Sequence, residues 1–416
     1  MIKRCSLSHF YEGDKCDLFY DRMAGIVVRP RSRILRGHDW VYATEVYESF
    51  GAPKNGDVIS IRDQRGYFLG SAIYNGRSII IARRFSYFHQ ELNSDFFVRR
   101  LHQAVELRKR LSVFSRQAYR LIWSESDGLP GVVIDRFGGI IACQLQTYGM
   151  ELRKEILLKG LRQIDNVEGI VFRGDSAVRL NEGLSLHKPE IYGNVPREVV
   201  VDLQGVQFNV NVFSGQKTGL YLDQVENYPV VAQYARGRCV LDCFSNQGGF
   251  ALSCLKGGAK EVTVVESTVS SLEMLAKNAK LNRMHVHCIR ENAFAFLRSE
   301  VRRKRQYDLL ILDPPSFTKV RSRVQEAIRG YHELHLRAAK LLSQRGILVT
   351  FACSYHISAE IFLNTIRAAF LEARRSAHLV RWLSQSSDHP VMLHLPETGY
   401  LKGVILEAMP IFRSGS

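Results

Sequence analysis

Three short apolar runs in the second half of the chain end in polar residues whose types and spacing suit ligand chemistry. Val240-Leu241-Asp242-Cys243-Phe244-Ser245-Asn246-Gln247-Gly248-Gly249-Phe250 closes on an aspartate and a glycine pair. Val264-Val265-Glu266 follows, and Leu309-Leu310-Ile311-Leu312-Asp313-Pro314-Pro315-Ser316 comes later. Each reads as a buried parallel strand, and ligands of open α/β sheets sit outside the carboxyl ends of such strands. Asp242 can hold a charged amino-acid moiety or its water. Glu266 can accept both hydroxyls of a ribose. Glu291-Asn292-Ala293, after the next strand, can meet an adenine edge. Gly248-Gly249 lets a ligand approach the backbone closely. The turn is Asn-Gln-Gly-Gly, without the GxGxxG spacing and without a Walker lysine, so a P-loop is excluded and a dinucleotide site is poorly supported. The order of strand ends implies a nucleoside-binding half-sheet.

The elements that must position these residues begin near residue 199. Val199–Val212 predicts a hairpin around Gly205. Strands are expected at 239–243, 261–265, 285–289, 308–312 and 346–352, with helices at 249–257, 269–281, 331–343 and 358–372. Gly399–Pro410 reads as a closing β segment. The helix at 269–281 places Leu272, Leu275, Ala276 and Ala279 on one face, with Thr268 as its N-cap. Alternating strands and helices imply a parallel sheet with right-handed crossovers. Upstream, residues 24–86 look all-β, with runs at Gly25–Val28, Asp57–Ile61, Phe68–Ile73 and Ser78–Ala82. A helix over 95–112 turns Phe97, Leu101, Ala104, Val105 and Leu111 to one side and leaves Arg108-Lys109-Arg110 outside it. Residues 118–200 read as a small α+β unit.

Lys and Arg exceed Asp and Glu enough to give a formal charge of +16. Such an excess favours a polyanionic partner, because each cation docked on a phosphate releases counterions. Arg29, Arg31, Arg33 and Arg36 crowd one connection, followed by Trp40 and Tyr42. Cations beside rings suit phosphates and stacked bases; the plainer alternative has the rings in a core and the arginines solvated. No apolar run reaches the length of a membrane span, and Met1–Phe19 has no apolar signal region. The eight cysteines form no CxxC pair and no zinc spacing. His332 and His335 are expected on an exposed helix face rather than at a metal. Reduced thiols in a cytoplasmic protein are the expectation.

Longer motifs carry a family resemblance. Phe213-Ser214-Gly215-Gln216-Lys217-Thr218-Gly219-Leu220-Tyr221-Leu222-Asp223-Gln224, Leu129-Pro130-Gly131-Val132-Val133-Ile134-Asp135, Arg36-Gly37-His38-Asp39-Trp40-Val41 and Asp388-His389-Pro390-Val391 join the order Asp242, Gly248, Glu266, Asn292, Asp313. Together they resemble the RlmI-type 23S rRNA cytosine-C5 methyltransferases, of the class I S-adenosylmethionine-dependent group. The resemblance covers nearly everything past residue 23. It implies an α/β fold: a Rossmann-like class I methyltransferase domain at 199–416, preceded by a β-rich PUA-like RNA-binding domain at 24–94 and a small α+β domain at 95–198. It implies S-adenosylmethionine bound by Asp242, Phe244, Asn246, Gly248, Glu266, Asn292, Asp313 and Gln224, and no metal. The family usually has an arginine soon after the Tyr-Leu-Asp-Gln run, where this chain has Val225-Glu226-Asn227. Residues 1–23 have no counterpart.

The resemblance also implies that Cys353, in Thr350-Phe351-Ala352-Cys353-Ser354-Tyr355, is the nucleophile, with Asp313 holding the base. Cytosine C5 needs this help: a thiolate on C6 makes C5 enamine-like. Arg31, Arg33, Arg36, Lys319 and Arg321 are the expected RNA contacts. Expected partners are 23S rRNA during large-subunit assembly and a second copy of the chain, which β-rich edges allow. Two other readings stay open. One is base N-methylation on rRNA or tRNA, where Asp313-Pro314-Pro315 grips an exocyclic amine, although Ser316 rather than an aromatic follows. The other is a non-catalytic RNA-binding assembly factor.

Overall fold

The computed structural model describes residues 24–113, 115–214, 217–318 and 320–409. The N-terminal sheet is built from β1 (Gly25–Val28), β2 (Trp40–Tyr42), β3 (Val46–Phe50), β4 (Val58–Arg62), β5 (Phe68–Tyr74) and β6 (Ile80–Ser86), in the order β2-β6-β5-β4-β1-β3. All its pairings are antiparallel except β1 with β4. Two of these strands, β2 and β3, were not expected from the sequence. They are short and largely half-buried or exposed, so neither shows a clean alternation of apolar and polar residues.

Helix α1 (Ser94–Arg110) leads to β7 (Ala118–Trp123), β8 (Val132–Phe137), β9 (Ile140–Leu145), α2 (Tyr148–Glu151), α3 (Lys154–Leu161), β10 (Gly169–Gly174), α4 (Val178–Asn181) and β11 (His187–Gly193). The five strands form one sheet, β11-β10-β9-β8-β7. Phe96, Phe97, Leu101 and Ala104 of α1 pack with Leu157, Leu158 and Leu161 of α3 on that sheet. Arg108 was expected outside the apolar face of α1, and the structure places it fully buried. Its guanidinium grips both oxygens of Asp127 at 2.5 and 2.9 Å and donates to the carbonyls of Arg120 and Asp388. Arg120 is in turn paired with Asp135 at 2.7 Å. Asp388 accepts the backbone N–H of Arg120 at 2.7 Å. The motifs at 129–135 and 388–391 therefore meet in one buried polar node between the central sheet and the C-terminal half.

The C-terminal half opens with the hairpin β12 (Val199–Leu203) and β13 (Val206–Val210) and helix α5 (Asn227–Ala232). Then come β14 (Cys239–Cys243), α6 (Gly249–Lys256), β15 (Glu261–Glu266), α7 (Val269–Leu281), β16 (His287–Arg290), α8 (Ala293–Arg302), β17 (Tyr307–Leu312), α9 (Val324–Leu341), β18 (Leu342–Ala352), α10 (Ala359–Glu372), β19 (Ser376–Ser384) and β20 (Lys402–Met409). The sheet order is β16-β15-β14-β17-β18-β20-β19. The first five are parallel, β20 runs antiparallel to β18, and β19 antiparallel to β20. One core lies between this sheet, α6, α7 and the β12–β13 hairpin; the other lies under α8, α9 and α10.

Three local expectations are corrected. Ala276 is exposed and Asn278 is buried in the face of α7, because Asn278 bridges the N–H of Asn209 and the carbonyl of Gln247. Thr268 sits at the N-cap of α7 without a side-chain bond; the Glu266 carboxylate accepts its N–H at 2.9 Å instead. His335 is buried against Thr350 at 2.8 Å, not on an exposed face, and burial pushes its pKa down to about 3.

Removing one partner of a buried, hydrogen-bonded ion pair leaves the other charge uncompensated, at a cost of about 3–5 kcal/mol. Arg108→Ala is expected to lower stability by about that amount, read as an earlier denaturant midpoint by tryptophan fluorescence. A midpoint equal to that of the wild type would show that the node does not hold the halves together.

Candidate active site

The site forms where β14, β15, β17 and β18 end. The turn after β14 holds Phe244 at φ +64° and Asn246 at φ +50°, and Gly248 at φ +88° opens α6. A Cβ at Gly248 would lie 3.0 Å from Leu275, in a backbone region that L side chains avoid. The turn is pinned to the next strand: Asn246 N–H donates to Glu266 at 3.1 Å, and Phe244 N–H donates to the Val265 carbonyl. Phe244 packs edge-on to Phe294 of α8, ring centroids 6.5 Å apart.

Asp242 is fully buried and accepts the Ser245 hydroxyl on one oxygen at 2.5 Å. Among the described residues its other oxygen has no hydrogen-bond partner, and neither do Asp223 Oδ1 and Gln247 Oε1, all buried. Burial raises the Asp242 pKa to about 7 against the Ser245 bond. Asp313 lies one strand over and accepts Gln224 Nε2 at 3.1 Å. Its removal from bulk water, with the negative charge of Asp223, raises its pKa to about 7 as well. Burial also works against the Asp223 carboxylate, but Lys217, His389 and Tyr400 hold it below the usual range. Lys217 Nζ lies 2.6 Å from Asp223, and the Tyr400 hydroxyl donates to the same oxygen at 2.5 Å.

Cys353 follows β18, partly buried, and its thiol donates to the Pro314 carbonyl at 3.6 Å. Burial, then the charges of Asp313 and Asp223, pushes the thiol up to about 12 against the pull of Lys217. Lys402 Nζ donates to the carbonyls of Ser354 and Tyr400 at 2.9 and 3.2 Å, fixing the segment after the cysteine. The site thus brings Asp242, Phe244, Asn246, Gly248, Glu266, Gln224, Asp313 and Cys353 together. Asn292 stands apart in role: it is exposed, and its side-chain oxygen caps α8 through the N–H groups of Phe294 and Ala295. Sequence reasoning missed Lys217 and Asp223, although both stand in the quoted 213–224 motif. It also missed Tyr400 and Lys402, for which a lone Tyr or Lys in a β segment gives no signal. Glu226, in the departure after Gln224, pairs with Arg116 at 2.6 Å and Asn227 with Gln224 at 2.6 Å.

Of the expected RNA contacts, Arg31, Arg36 and Arg321 are exposed. Arg33 is half-buried, stacked 4.0 Å over Tyr42 and beside Glu45 and Glu397. Lys319 lies outside the described residues. Trp40 is committed inward, its indole N–H on Glu125 at 2.8 Å and its ring under Arg83. Among the described residues no group of three or more His, Cys, Asp or Glu is placed to hold a metal, and no helix is long and apolar enough to cross a membrane.

The model of S-adenosylmethionine-dependent methyltransferases matches residues 170–402, more than half of the chain, and a PUA-like domain matches 29–87. The chain is 38% identical over 383 residues to a protein of Tolumonas auensis named Ribosomal RNA large subunit methyltransferase I, covering 90% of this chain and 96% of that one. A protein of the same name from Aeromonas salmonicida is 37% identical with the same coverage. The chain belongs to this family of S-adenosylmethionine-dependent methyltransferases. In fold, the methyltransferase also matches the crystal structure of SMU.776 complexed with SAH, with a TM-score of 0.80 and 21% identity, over 92% of this chain and 99% of that one. A second structure of this kind, from Streptococcus mutans, gives a TM-score of 0.79 with the same identity and coverage. The S-adenosylmethionine assignment fits the geometry: buried acceptors without partners, at the mouth of a glycine turn, suit a cationic nucleoside.

Asp242 and Asp313 each hold a proton more tightly in the folded chain, about pKa 7 against 3.8. Their neutral forms therefore stabilise the ligand-free protein fully below about pH 4, and that contribution is lost as the pH rises to about 7. Asp313→Asn, which keeps a neutral group, is expected to flatten the fall in melting temperature between pH 4 and 7. A melting curve whose pH dependence is unchanged by the substitution would show that Asp313 ionises as an ordinary carboxylate.

Proposed function

We propose that the chain methylates C5 of a cytosine in 23S rRNA, with Cys353 as the nucleophile. The observation that carries this reading is the Cys353 thiol at the end of β18, set against Pro314 and coupled in charge to Asp313 at the end of the neighbouring strand β17. The names of the curated relatives support a large-subunit rRNA substrate. We extend the reading to rRNA of assembling particles in the cytoplasm, with residues 24–94 and 95–198 as the RNA-holding and central domains and 199–416 as the methyltransferase domain.

S-adenosylmethionine, when bound, supplies an electrophilic methyl group. Asp242, Gly248, Asn246 and Glu266 would hold it, with Phe244 beside the base, while Gln224 steadies Asp313. The chain's part in catalysis then follows from its own groups. Asp313, poised near pKa 7, can share a proton with the N3 edge of cytosine. A proton held between Asp313 and N3 leaves no net negative charge there to oppose ionisation of Cys353, so base binding and thiol activation are linked. The thiol loses its proton to water and Sγ bonds to C6. The electron pair displaced to C5 would take the methyl group as the bond from that methyl to the sulfonium sulfur breaks, leaving a neutral thioether. A base then removes the C5 proton, the C5–C6 double bond re-forms, and the Sγ–C6 bond breaks to return the thiolate. Transfer to an exocyclic amine through Asp313-Pro314-Pro315 would place that amine on the Pro314 carbonyl, the same group that accepts the Cys353 thiol.

Cys353→Ala is expected to abolish methyl transfer while leaving cofactor and RNA binding intact, since the thiol serves only the covalent step. RNA carrying 5-fluorocytosine at the target should trap the wild-type chain as a covalent adduct seen on a denaturing gel. Near-normal methylation by Cys353→Ala would reject the C5 mechanism in favour of amine transfer. Mass mapping of methylated nucleotides, with and without the protein, identifies the position.

The exposed arginines give a separate expectation. Replacing Arg31, Arg36 and Arg321 together by glutamine should flatten the salt dependence of RNA binding by about 2 log-log units, on the single-strand coefficient. An unaltered slope would make them an ordinary solvated face.

A further inference from the structure

Two residues beyond Cys353, the ring of Tyr355 stands 44% exposed at the outer rim of the site. Most exposed tyrosines are free rotors. This one faces the Glu397 carboxylate, whose charge acts on its hydroxyl. Glu397 is itself held by His38 at 3.2 Å and faces Arg33 at 3.9 Å, both from the N-terminal sheet. His356 meets the Tyr355 ring edge-on, with centroids 5.4 Å apart. The ring thus stands between this carboxylate and its neighbouring ring while much of its surface stays in water. It also bridges two places that matter for RNA: the nucleophile on one side, and on the other the arginine connection that carries Arg31, Arg33 and Arg36.

We propose that Tyr355 is a stacking platform for a nucleotide flanking the target cytosine, and that the strand runs from Cys353 across Tyr355 to the arginine connection of the N-terminal sheet. This rests on the RNA methyltransferase reading above. The physical case has three parts. A pyrimidine must be unstacked from its neighbours before a thiol can reach C6, and the exposed neighbour then needs a new surface. An aromatic face supplies it without demanding a particular base. A ring already packed edge-on against its neighbour loses less freedom when a base settles on it. The charge around it agrees, since Arg31 and Arg36 are exposed within one short segment of Arg33.

The test compares Tyr355→Ala, Tyr355→Leu, Tyr355→Phe and Tyr355→Trp with the wild type, using 23S rRNA transcribed in vitro. Three quantities are read: RNA affinity by filter binding, KM and kcat for methyl transfer, and S-adenosylmethionine affinity by calorimetry. Loss of the ring in the Ala and Leu variants is expected to weaken RNA binding and raise KM roughly 5- to 150-fold, with cofactor affinity unchanged. Phe and Trp, which keep an aromatic face, should stay within a few-fold of the wild type. The Leu variant keeps apolar bulk, so a shared loss in Ala and Leu points to the ring rather than to a collapsed loop. RNA binding that survives in Tyr355→Ala overturns the proposal, as does a Phe variant that falls as far as Ala, since the hydroxyl rather than the ring face would then matter. If Tyr355→Ala binds and reacts normally while the wild type is active, the stacking role alone fails. A wild-type chain that neither binds nor methylates the RNA overturns the underlying reading and this proposal with it.

Discussion

A carboxylate removed from water must find a cation, keep its proton, or wait for a charged ligand. This chain uses all three outcomes in different places. Asp127, Asp135 and Asp39 are paired with Arg108, Arg120 and Arg84, and Arg108 and Arg120 in turn bond Asp388 of the C-terminal half. Asp223 is paired on one oxygen by Lys217 and Tyr400. Asp242 and Asp313 have no ion-pair partner among the described residues, and burial raises the pKa of both to about 7. In a protein with an overall charge of +16, the unneutralised acids are gathered at the carboxyl ends of the parallel strands. The framework carboxylates are closed, and the site carboxylates are left open for the reaction.

The separation explains which family motifs do chemistry. The segments around 129–135 and 388–391 look as distinctive in sequence as the segment around 242–250. In the structure the first two meet at Arg108, Arg120 and Asp388, where their charges are paired within the protein. The third carries Asp242 and Gln247, whose buried oxygens have no hydrogen-bond partner among the described residues. Sequence distinctiveness marks a constraint, and only burial and pairing reveal whether that constraint is mechanical or chemical.

The parallel half of the sheet was legible because fully buried strands leave apolar runs that end at small polar residues. Cys239–Cys243 and Val269–Leu281 fall where periodicity places them. Strand β19 was invisible because it is an edge: Leu379, Val380 and Trp382 are exposed, so no alternation forms. Helix α8 carried a signal, with Ala293, Phe296, Leu297 and Glu300 buried at helical spacing behind an Asn292 cap; reading Asn292 only as a ligand residue hid its role as a cap. Asp313, Glu266 and Asp242 were readable as strand ends. Lys217, Asp223, Tyr400 and Lys402 were not, because they reach the site from loops and from the antiparallel β20, where sequence order says nothing about proximity.

The high proton affinity of Cys353 has a consequence for its chemical lifetime. With its pKa near 12, on the order of one thiol in a hundred thousand is ionised at neutral pH. Peroxides and electrophilic metabolites attack the thiolate, and oxidation to sulfenic acid begins there. The resting protein therefore carries the Cys353 thiol, the proposed nucleophile, in an inert form, shielded by its acidic neighbours Asp313 and Asp223. On the mechanism proposed above, resistance to oxidative damage and readiness for catalysis are set by one electrostatic arrangement.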